Sequence, residues 1–311
     1  MPRSLLITGA TGKQGGSVVE AVLSRFSKEF TILAVTRNAQ SPSALRLARK
    51  SSAVKLVEGN LDDVPSLFRA AKKVSSGPIW GVYSVQAAVT KGTTFEGEIR
   101  QGKALIEESI KNDVKHFVYS SVDRGGNERS WTNPTPIPHF KSKHQIEQFL
   151  RDSVENKKSA MGWTILRPVI FLDNISPDFQ SKVFMTSLRI AMKDKPLQWV
   201  ATSDIGVFAA ETFAGPDRFD KKAIGLGGEE LTFEELDHRF RSVTGNGVGT
   251  TVGLLDKALK AGVKEVGLML DWFKEEGYNV DMQLARSLHP HIKDVRAWLK
   301  QDSAFVTQSN S

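Results

Sequence analysis

Three groups of residues in the first half of the chain have the types and the spacing for chemistry. The first is Gly9-Ala10-Thr11-Gly12-Lys13-Gln14-Gly15, which follows an apolar run at residues 4–8 and opens a helical pattern over residues 16–26. Glycine at the first position permits a tight turn, and at the second it lets the backbone approach a pyrophosphate. At the third it lets helix and strand pack closely, while the amino end of the helix attracts the anion. Glycine spacing alone is weak evidence; its placement between a strand and a helix at the start of a βαβ pattern makes it specific. The second group is Tyr119-Ser120-Ser121, at the end of another apolar run. The third is His139 and Lys143, four residues apart and so on one face of a helix that Pro138 can open. A serine beside a nicotinamide can hydrogen-bond a substrate carbonyl, and a lysine can hold the nicotinamide ribose and assist a neighbouring acid. Ser120, Ser121, Lys143 and His139 are therefore the candidate catalytic residues of a reductase-like set. One member departs from pattern, because a tyrosine is the usual proton donor four residues before that lysine. In the first helical turn, beside Lys143, the imidazole is expected neutral, and it reads either as a hydrogen-bond donor or as a residue that lines the substrate.

The elements that position these groups alternate between short β-rich runs and helical stretches. Strands are expected at residues 4–8, 31–36, 54–58, 79–85, 116–120 and 163–167, with helices in most gaps. The second ends at Thr36-Arg37-Asn38, where a site for NAD would present an acid to the ribose 2′-hydroxyl. Arg37 instead offers a guanidinium fork suited to a 2′-phosphate, with Lys13 as a second cation, so NADP(H) is the expected cofactor. The alternative is an ordinary surface arginine. After the third strand, Asn60-Leu61-Asp62-Asp63 suits hydrogen bonding to adenine, although Asp62 or Asp63 equally suits capping the helix that runs to Lys73. Ser84-Val85-Gln86 follows the fourth strand and is expected along the cofactor, and the sixth ends at Pro168-Val169-Ile170-Phe171. The expected cofactor site thus takes Gly9, Thr11, Gly12, Lys13, Gln14, Gly15, Arg37, Asn60, Leu61, Asp62, Ser84, Val85, Gln86, Lys143, Pro168 and Val169, with Phe171 and Asn174 facing the nicotinamide.

This is the pattern of an α/β protein, a doubly wound parallel sheet of Rossmann type with a smaller C-terminal α+β lobe. The expected division is a nucleotide-binding domain over residues 1–168, a substrate or partner lobe over 169–302 with chain crossings, and a flexible tail over 303–311. In the lobe, strands are expected at 197–201 and 223–226 and helices at 232–244 and 250–276, the first capped by Thr232 and ended by Gly245. His289-Pro290-His291 reads as a turn, with no carboxylate pattern nearby to complete a metal site, so no metal is expected. The 311 residues carry a net charge of +7, but the basic residues are scattered among acids, which argues for a solvated surface and against nucleic acid. No run is long and apolar enough for a membrane span. With no cysteine in the chain, disulfides and thiolate chemistry are excluded, and a cytoplasmic protein is expected, with the nucleus as a second compartment. A monomer or a homodimer fits equally.

Taken together, GATGxxG at Gly9 to Gly15, Val35-Thr36-Arg37, Gly59-Asn60-Leu61-Asp62, Tyr119-Ser120-Ser121, Lys143 with Gln145-Ile146-Glu147, and Leu166-Arg167-Pro168 resemble the NmrA-like family of atypical short-chain dehydrogenases/reductases, over nearly the whole chain. The resemblance implies a Rossmann domain with a small C-terminal lobe, a preference for NADP(H) and a cleft between the lobes. It also implies a divided function. Some members bind NADP without turnover and regulate protein partners by reading the cellular redox ratio. Others reduce quinones, enols or phenylpropanoids with the lysine and no tyrosine, and fungal members serve specialised metabolism. The two expectations are an NADPH-dependent oxidoreductase acting on a small hydrophobic carbonyl, enone or iminium substrate, and a redox sensor with a regulatory protein partner.

Overall fold

The computed structural model describes residues 1–86, 94–156, 159–251 and 264–306. In chain order the first elements are β1 (Arg3–Ile7), α1 (Lys13–Phe26), β2 (Phe30–Thr36), α2 (Pro42–Arg49), β3 (Val54–Glu58), α3 (Val64–Val74), β4 (Ile79–Ser84), α4 (Phe95–Lys111), β5 (His116–Ser120), α5 (Pro138–Asn156) and β6 (Gly162–Pro168). There follow β7 (Ile170–Phe171), α6 (Phe179–Met192), β8 (Leu197–Val200), α7 (Thr202–Ala214), α8 (Pro216–Phe219), β9 (Lys222–Leu226), β10 (Glu229–Leu231), α9 (Phe233–Thr244), α10 (Lys264–Glu275), α11 (Met282–Leu288) and α12 (Val295–Gln301). Of the helix expected over 250–276, residues 252–263 lie outside the described residues, as do residues 307–311 of the expected tail.

The chain divides into two compact units, each made of three segments. The first takes Met1–Ser121, Ser142–Arg167 and Ile205–Ile224, and the second takes Val122–Lys141, Pro168–Asp204 and Gly225–Ser311. A single cut at residue 168 would therefore part segments that pack together.

The first unit is built on a seven-stranded sheet in the order β3-β2-β1-β4-β5-β6-β9. The pairings from β3 through to β6 are parallel. Its central strands are buried on both faces, which is why they read as continuous apolar runs and not as an alternation: Leu5, Leu6, Ile7, Ile32, Leu33, Ala34, Phe117 and Val118 are fully buried. The strand order reverses between β1 and β4, and in open parallel sheets ligands bind at such a reversal, beyond the carboxyl ends of the strands. Thr8 ties those two ends together. Its hydroxyl donates to the Val85 carbonyl at 3.0 Å and accepts from the Val85 amide at 2.8 Å.

The second unit has a three-stranded sheet, β10-β8-β7, in which β8 runs parallel to β7 and antiparallel to β10. Strands β7 and β10, of 2 and 3 residues, were too short to carry a sequence signal. Trp199, Trp272, Trp298, Phe140 and Phe240 lie in one buried apolar cluster. Phe305 packs against it, its ring 5.3 Å from that of Phe240, so the tail is anchored at its root. Thr232 caps α9 and Gly245 closes it at a φ of 75°, as the sequence leads one to expect.

Candidate functional site

The turn after β1 is shaped by what cannot fit there. Gly9 has a φ of +60°, and a Cβ on it would meet the Val85 side chain at 2.9 Å. The Gly12 amide donates to the Gly9 carbonyl at 2.8 Å. A Cβ on Gly15 would stand 2.5 Å from the Thr8 carbonyl oxygen, so any side chain at that position forces helix and strand apart. Helix α1 begins at Lys13, three residues earlier than the sequence reading placed it, because the glycines already sit in its first turn. Gly12 is its N-cap and offers no side-chain bond. The other side of α1 is also fitted by a glycine. A Cβ on Gly206 of α7 would lie 2.5 Å from the Ser17 carbonyl carbon, a close approach that the three-glycine spacing does not reveal.

Around this turn the first unit brings together much of the expected set. Gln14 reaches the end of β5, where its amide oxygen accepts the Ser120 hydroxyl at 2.6 Å. Ser121 is buried, and its amide donates to the Leu166 carbonyl at 2.8 Å. Beyond β4, Gln86 is buried, its amide nitrogen donates to Ser84 Oγ at 2.9 Å, and its amide oxygen has no hydrogen-bond partner among the described residues. At the end of β2, Arg37 is exposed. Thr11, Gly12 and Lys13 are exposed too, and the residue after Arg37 is held by Thr36, whose hydroxyl donates to the Asn38 carbonyl at 3.1 Å.

The loop after β3 resolves an alternative. Asp63 caps α3, its carboxylate accepting the Ser66 amide at 3.1 Å. Asp62 turns to α4, where it accepts from Gln101 at 2.9 Å and Arg100 at 3.2 Å, and these bonds hold its carboxyl below the ordinary range. Asn60 braces that turn by accepting the Asp62 amide at 3.2 Å, and Leu61 is half-buried beside it.

Lys143 sits on α5 with its ammonium 3.0 Å from the buried carboxylate of Glu98 on α4, a partner 45 residues away. The sequence reading missed Glu98, although a signal exists. The buried residues of α4 include Glu98, Gly102, Leu105, Ile106 and Ser109, so a glutamate falls in phase with the inward stripe of the helix. On α5, the helix of Lys143, Glu147 makes a fully buried pair with Arg167 of β6 through bonds of 3.1 and 2.7 Å.

The remaining candidates belong to the second unit. Pro138 opens α5 as expected, and His139 follows in the first turn. Its Nδ1 lies 2.5 Å from Glu265 of α10, which also accepts the His139 amide at 3.2 Å. The hydrogen bond from His139 holds the Glu265 carboxyl below its ordinary value. The helix dipole and Lys143 are legible near His139 in the sequence, whereas the Glu265 carboxylate arrives from 126 residues away. Pro168 accepts the Asp123 amide through its carbonyl at 3.1 Å, and Val169 is buried with its amide on the Leu226 carbonyl at 3.1 Å. Phe171 is half-buried, and Asn174 is exposed with its carbonyl taken by Ser181 Oγ at 3.1 Å. His289 has a carboxylate nearby after all, Asp204 at 3.7 Å, contributed from 85 residues away. Among the described residues no group of three or more His, Asp or Glu is placed to hold a metal ion, and no helix is long and apolar enough to cross a membrane.

Comparison with known proteins places this geometry in a family. The NmrA-like oxidoreductase lnaB of Aspergillus flavus is 28% identical over 260 residues, which span 78% of this chain and 73% of that one. The crystal structure of NmrA, a negative transcriptional regulator, in complex with NADP superposes with a TM-score of 0.69 at 16% identity, covering 99% of this chain and 97% of that one. The triphenylmethane reductase of Citrobacter sp., complexed with NADP(H), gives a TM-score of 0.69 at 17% identity, over 97% of this chain and 99% of that one. These likenesses share the fold described above. The model of the NmrA-like family matches residues 1–298, and the chain belongs to that family.

Proposed function

We propose that the protein binds NADP(H) at the turn after β1 and is an oxidoreductase for a hydrophobic carbonyl, enone or iminium compound. The observation that carries the cofactor reading is the amino end of α1: exposed, without a side-chain cap, and closed on β1 by a glycine contact that leaves no room for a Cβ. A helix end left in this state suits a pyrophosphate, which takes the first amides as hydrogen-bond donors and meets the positive end of the dipole. In this reading Gly9, Thr11, Gly12, Lys13, Gln14 and Gly15 hold the pyrophosphate and Arg37 takes the 2′-phosphate. Asn60, Leu61 and Asp62 border the adenine, and Ser84, Val85 and Gln86 line the path to the nicotinamide, the buried Gln86 amide oxygen having no partner among the described residues. Pro168, Val169, Phe171 and Asn174 are the remaining residues of this cofactor reading.

The bound cofactor supplies a hydride. For a carbonyl or enone the protein's own part is to place and neutralise the substrate oxygen: Ser120 or Ser121 donates a hydrogen bond to it, Lys143 holds the ribose, and His139 gives the proton from Nε2 as an imidazolium whose Nδ1–H stays on Glu265. The names of relatives, an oxidoreductase and a reductase among them, support this reading. A second reading is a sensor of the NADPH/NADP ratio that regulates a protein partner. It is favoured by the Ser120 to Gln14 bond, which already occupies one candidate catalytic hydroxyl with the glycine turn itself. A sensor also requires unequal affinities for the two cofactor forms in two protein states.

The test is a fluorescence titration with NADPH and NADH, followed by a panel of quinones, enones, aldehydes and iminium compounds. NADPH is expected to bind about tenfold or more tightly than NADH, and Arg37→Ser to remove that difference, as the loss of one charge-assisted contact implies. Oxidation of NADPH that disappears in Lys143→Ala establishes the enzyme. Tight binding with no turnover across the panel turns the reading to the sensor, and equal affinity for NADPH and NADH in the unaltered protein, or a preference for NADPH that survives Arg37→Ser, overturns the role of Arg37.

A further inference from the structure

Glu98 is placed with more care than a surface glutamate needs. Thr94 caps α4 by accepting the Gly97 amide at 3.0 Å, and Glu98 follows in the first turn, where the helix dipole favours a carboxylate. Its side chain is only 2% exposed. One carboxylate oxygen takes Lys143 Nζ at 3.0 Å and the other takes Ser142 Oγ at 2.6 Å, so both are occupied by adjacent residues of α5. Lys143 is itself only 8% exposed. An ammonium has three donors, and Glu98 is its one hydrogen-bond acceptor among the described residues.

The two helices are also shaped to meet there. A Cβ on Gly102 would stand 2.6 Å from Ile146 Cδ1 and 2.9 Å from its Cγ1, so the missing side chain lets α5 close on α4. Gly102 is one turn beyond Glu98 and Ile146 one turn beyond Ser142, which puts the close approach beside the ion pair. A pair buried this deeply is poor value as a stabilising device, because apolar residues of the same volume are commonly as stable or more so. Its presence is better explained by a need for an ammonium fixed in one place.

We propose that Glu98 is a positioning residue for Lys143: it anchors the ammonium through one oxygen while Ser142 fixes the carboxylate through the other, leaving the lysine's remaining N–H groups to a ligand oxygen. The inference rests on the NADP(H) reading above and adds the residue that makes the lysine usable.

The experiment uses the full chain with Glu98→Gln, Glu98→Asp and Ser142→Ala. It measures NADPH affinity by fluorescence, the melting temperature, and the rate at which an amine-acylating reagent modifies Lys143, followed by peptide mass spectrometry. Glu98→Gln is expected to weaken NADPH about tenfold, the worth of one charge-assisted hydrogen bond, and to raise the acylation rate of Lys143 by a similar factor. Glu98→Asp, with the charge kept one methylene short, is expected to fall between the two. Ser142→Ala keeps the ion pair and covers the case in which Glu98→Gln does not fold; a loss of about threefold in affinity is expected of it. Folded variants with wild-type affinity and wild-type acylation would leave Glu98 as a structural counter-ion and overturn the inference. Failure of the unaltered protein to bind NADPH at all is the distinct result that overturns the cofactor reading, and this inference with it.

Discussion

At the amino end of α9, Thr232 accepts the Glu235 amide at 3.2 Å, and Glu235 returns its carboxylate to the Thr232 amide at 2.8 Å. At the amino end of α1, Gly12 has no side chain to offer, although α1 is the longer helix and is packed by glycines on two sides. Among the described residues a side-chain cap is common. Ser41, Asp63, Thr94, Asp178, Asp281 and Asp294 each accept an amide from the helix they precede. A side-chain cap is worth about 1 kcal/mol, and it also fills the space in front of the helix. Its omission at α1 gives up that stability and keeps the space, which is the trade expected of a binding end and not of a scaffold end.

The comparison breaks most severely at Gly15. Gly15→Val places a branched side chain where even a Cβ would be 2.5 Å from a backbone carbonyl oxygen, and backbone on both sides cannot give way as a flexible side chain would. We expect a loss of about 4 kcal/mol or more and no measurable NADPH binding, read by thermal melting and by titration. A variant that melts like the wild type would mean that α1 and β1 are not locked together at this contact.

A milder change sharpens the comparison by making α1 resemble α9. Gly12 has an extended backbone, φ −97° and ψ 179°, which any residue can adopt, and a Cβ there would be 3.3 Å from the Gly9 carbonyl oxygen, tight but tolerable. Gly12→Asp should therefore cap the helix. The melting temperature is expected to hold or rise, by up to about 1 kcal/mol of added stability, while NADPH affinity falls about 100-fold because the new carboxylate takes the amides and repels the pyrophosphate. Affinity retained with the helix capped would place the cofactor elsewhere.

The two helix ends also differ in how they can be read. Both were legible in the sequence, because each is written within a few residues: a glycine spacing behind an apolar run for α1, and a threonine, an acidic pair and a closing glycine for α9. The parallel sheet was legible for the same reason, and β3 and β5 have the bounds that their apolar runs imply. What could not be read is whatever depends on distant partners. Glu98 meets Lys143 across 45 residues and Glu265 meets His139 across 126, and neither pairing leaves a spacing that sequence alone can register. The start of α1 was misplaced for a different reason. Glycine has low helix propensity, so Lys13 to Gly15 reads as loop until close packing against β1 pays for their helical conformation.

The smallest effect is at α9, where the cap is electrostatic on one side and neutral on the other. Thr232→Ala is expected to cost about 1 kcal/mol at neutral pH without changing NADPH affinity. The Glu235 half of the box adds a pH dependence whose sign follows from its direction. Hydrogen bonds from Thr232, first from its amide and then from its hydroxyl, hold the Glu235 carboxyl below its ordinary 4.5. The folded protein thus releases this proton more readily than the unfolded chain does, so the contribution is fully present above about pH 4.5 and is lost as the pH falls through the lowered value. The melting difference between wild type and Thr232→Ala should narrow in acid, since the mutation removes a partner that protonation has already weakened. The α1 end carries no carboxylate in its cap, so the melting difference between wild type and Gly15→Ala should show no such narrowing. A gap at α9 that stays constant from neutral pH to pH 3 would mean that the box acts through the threonine hydroxyl alone.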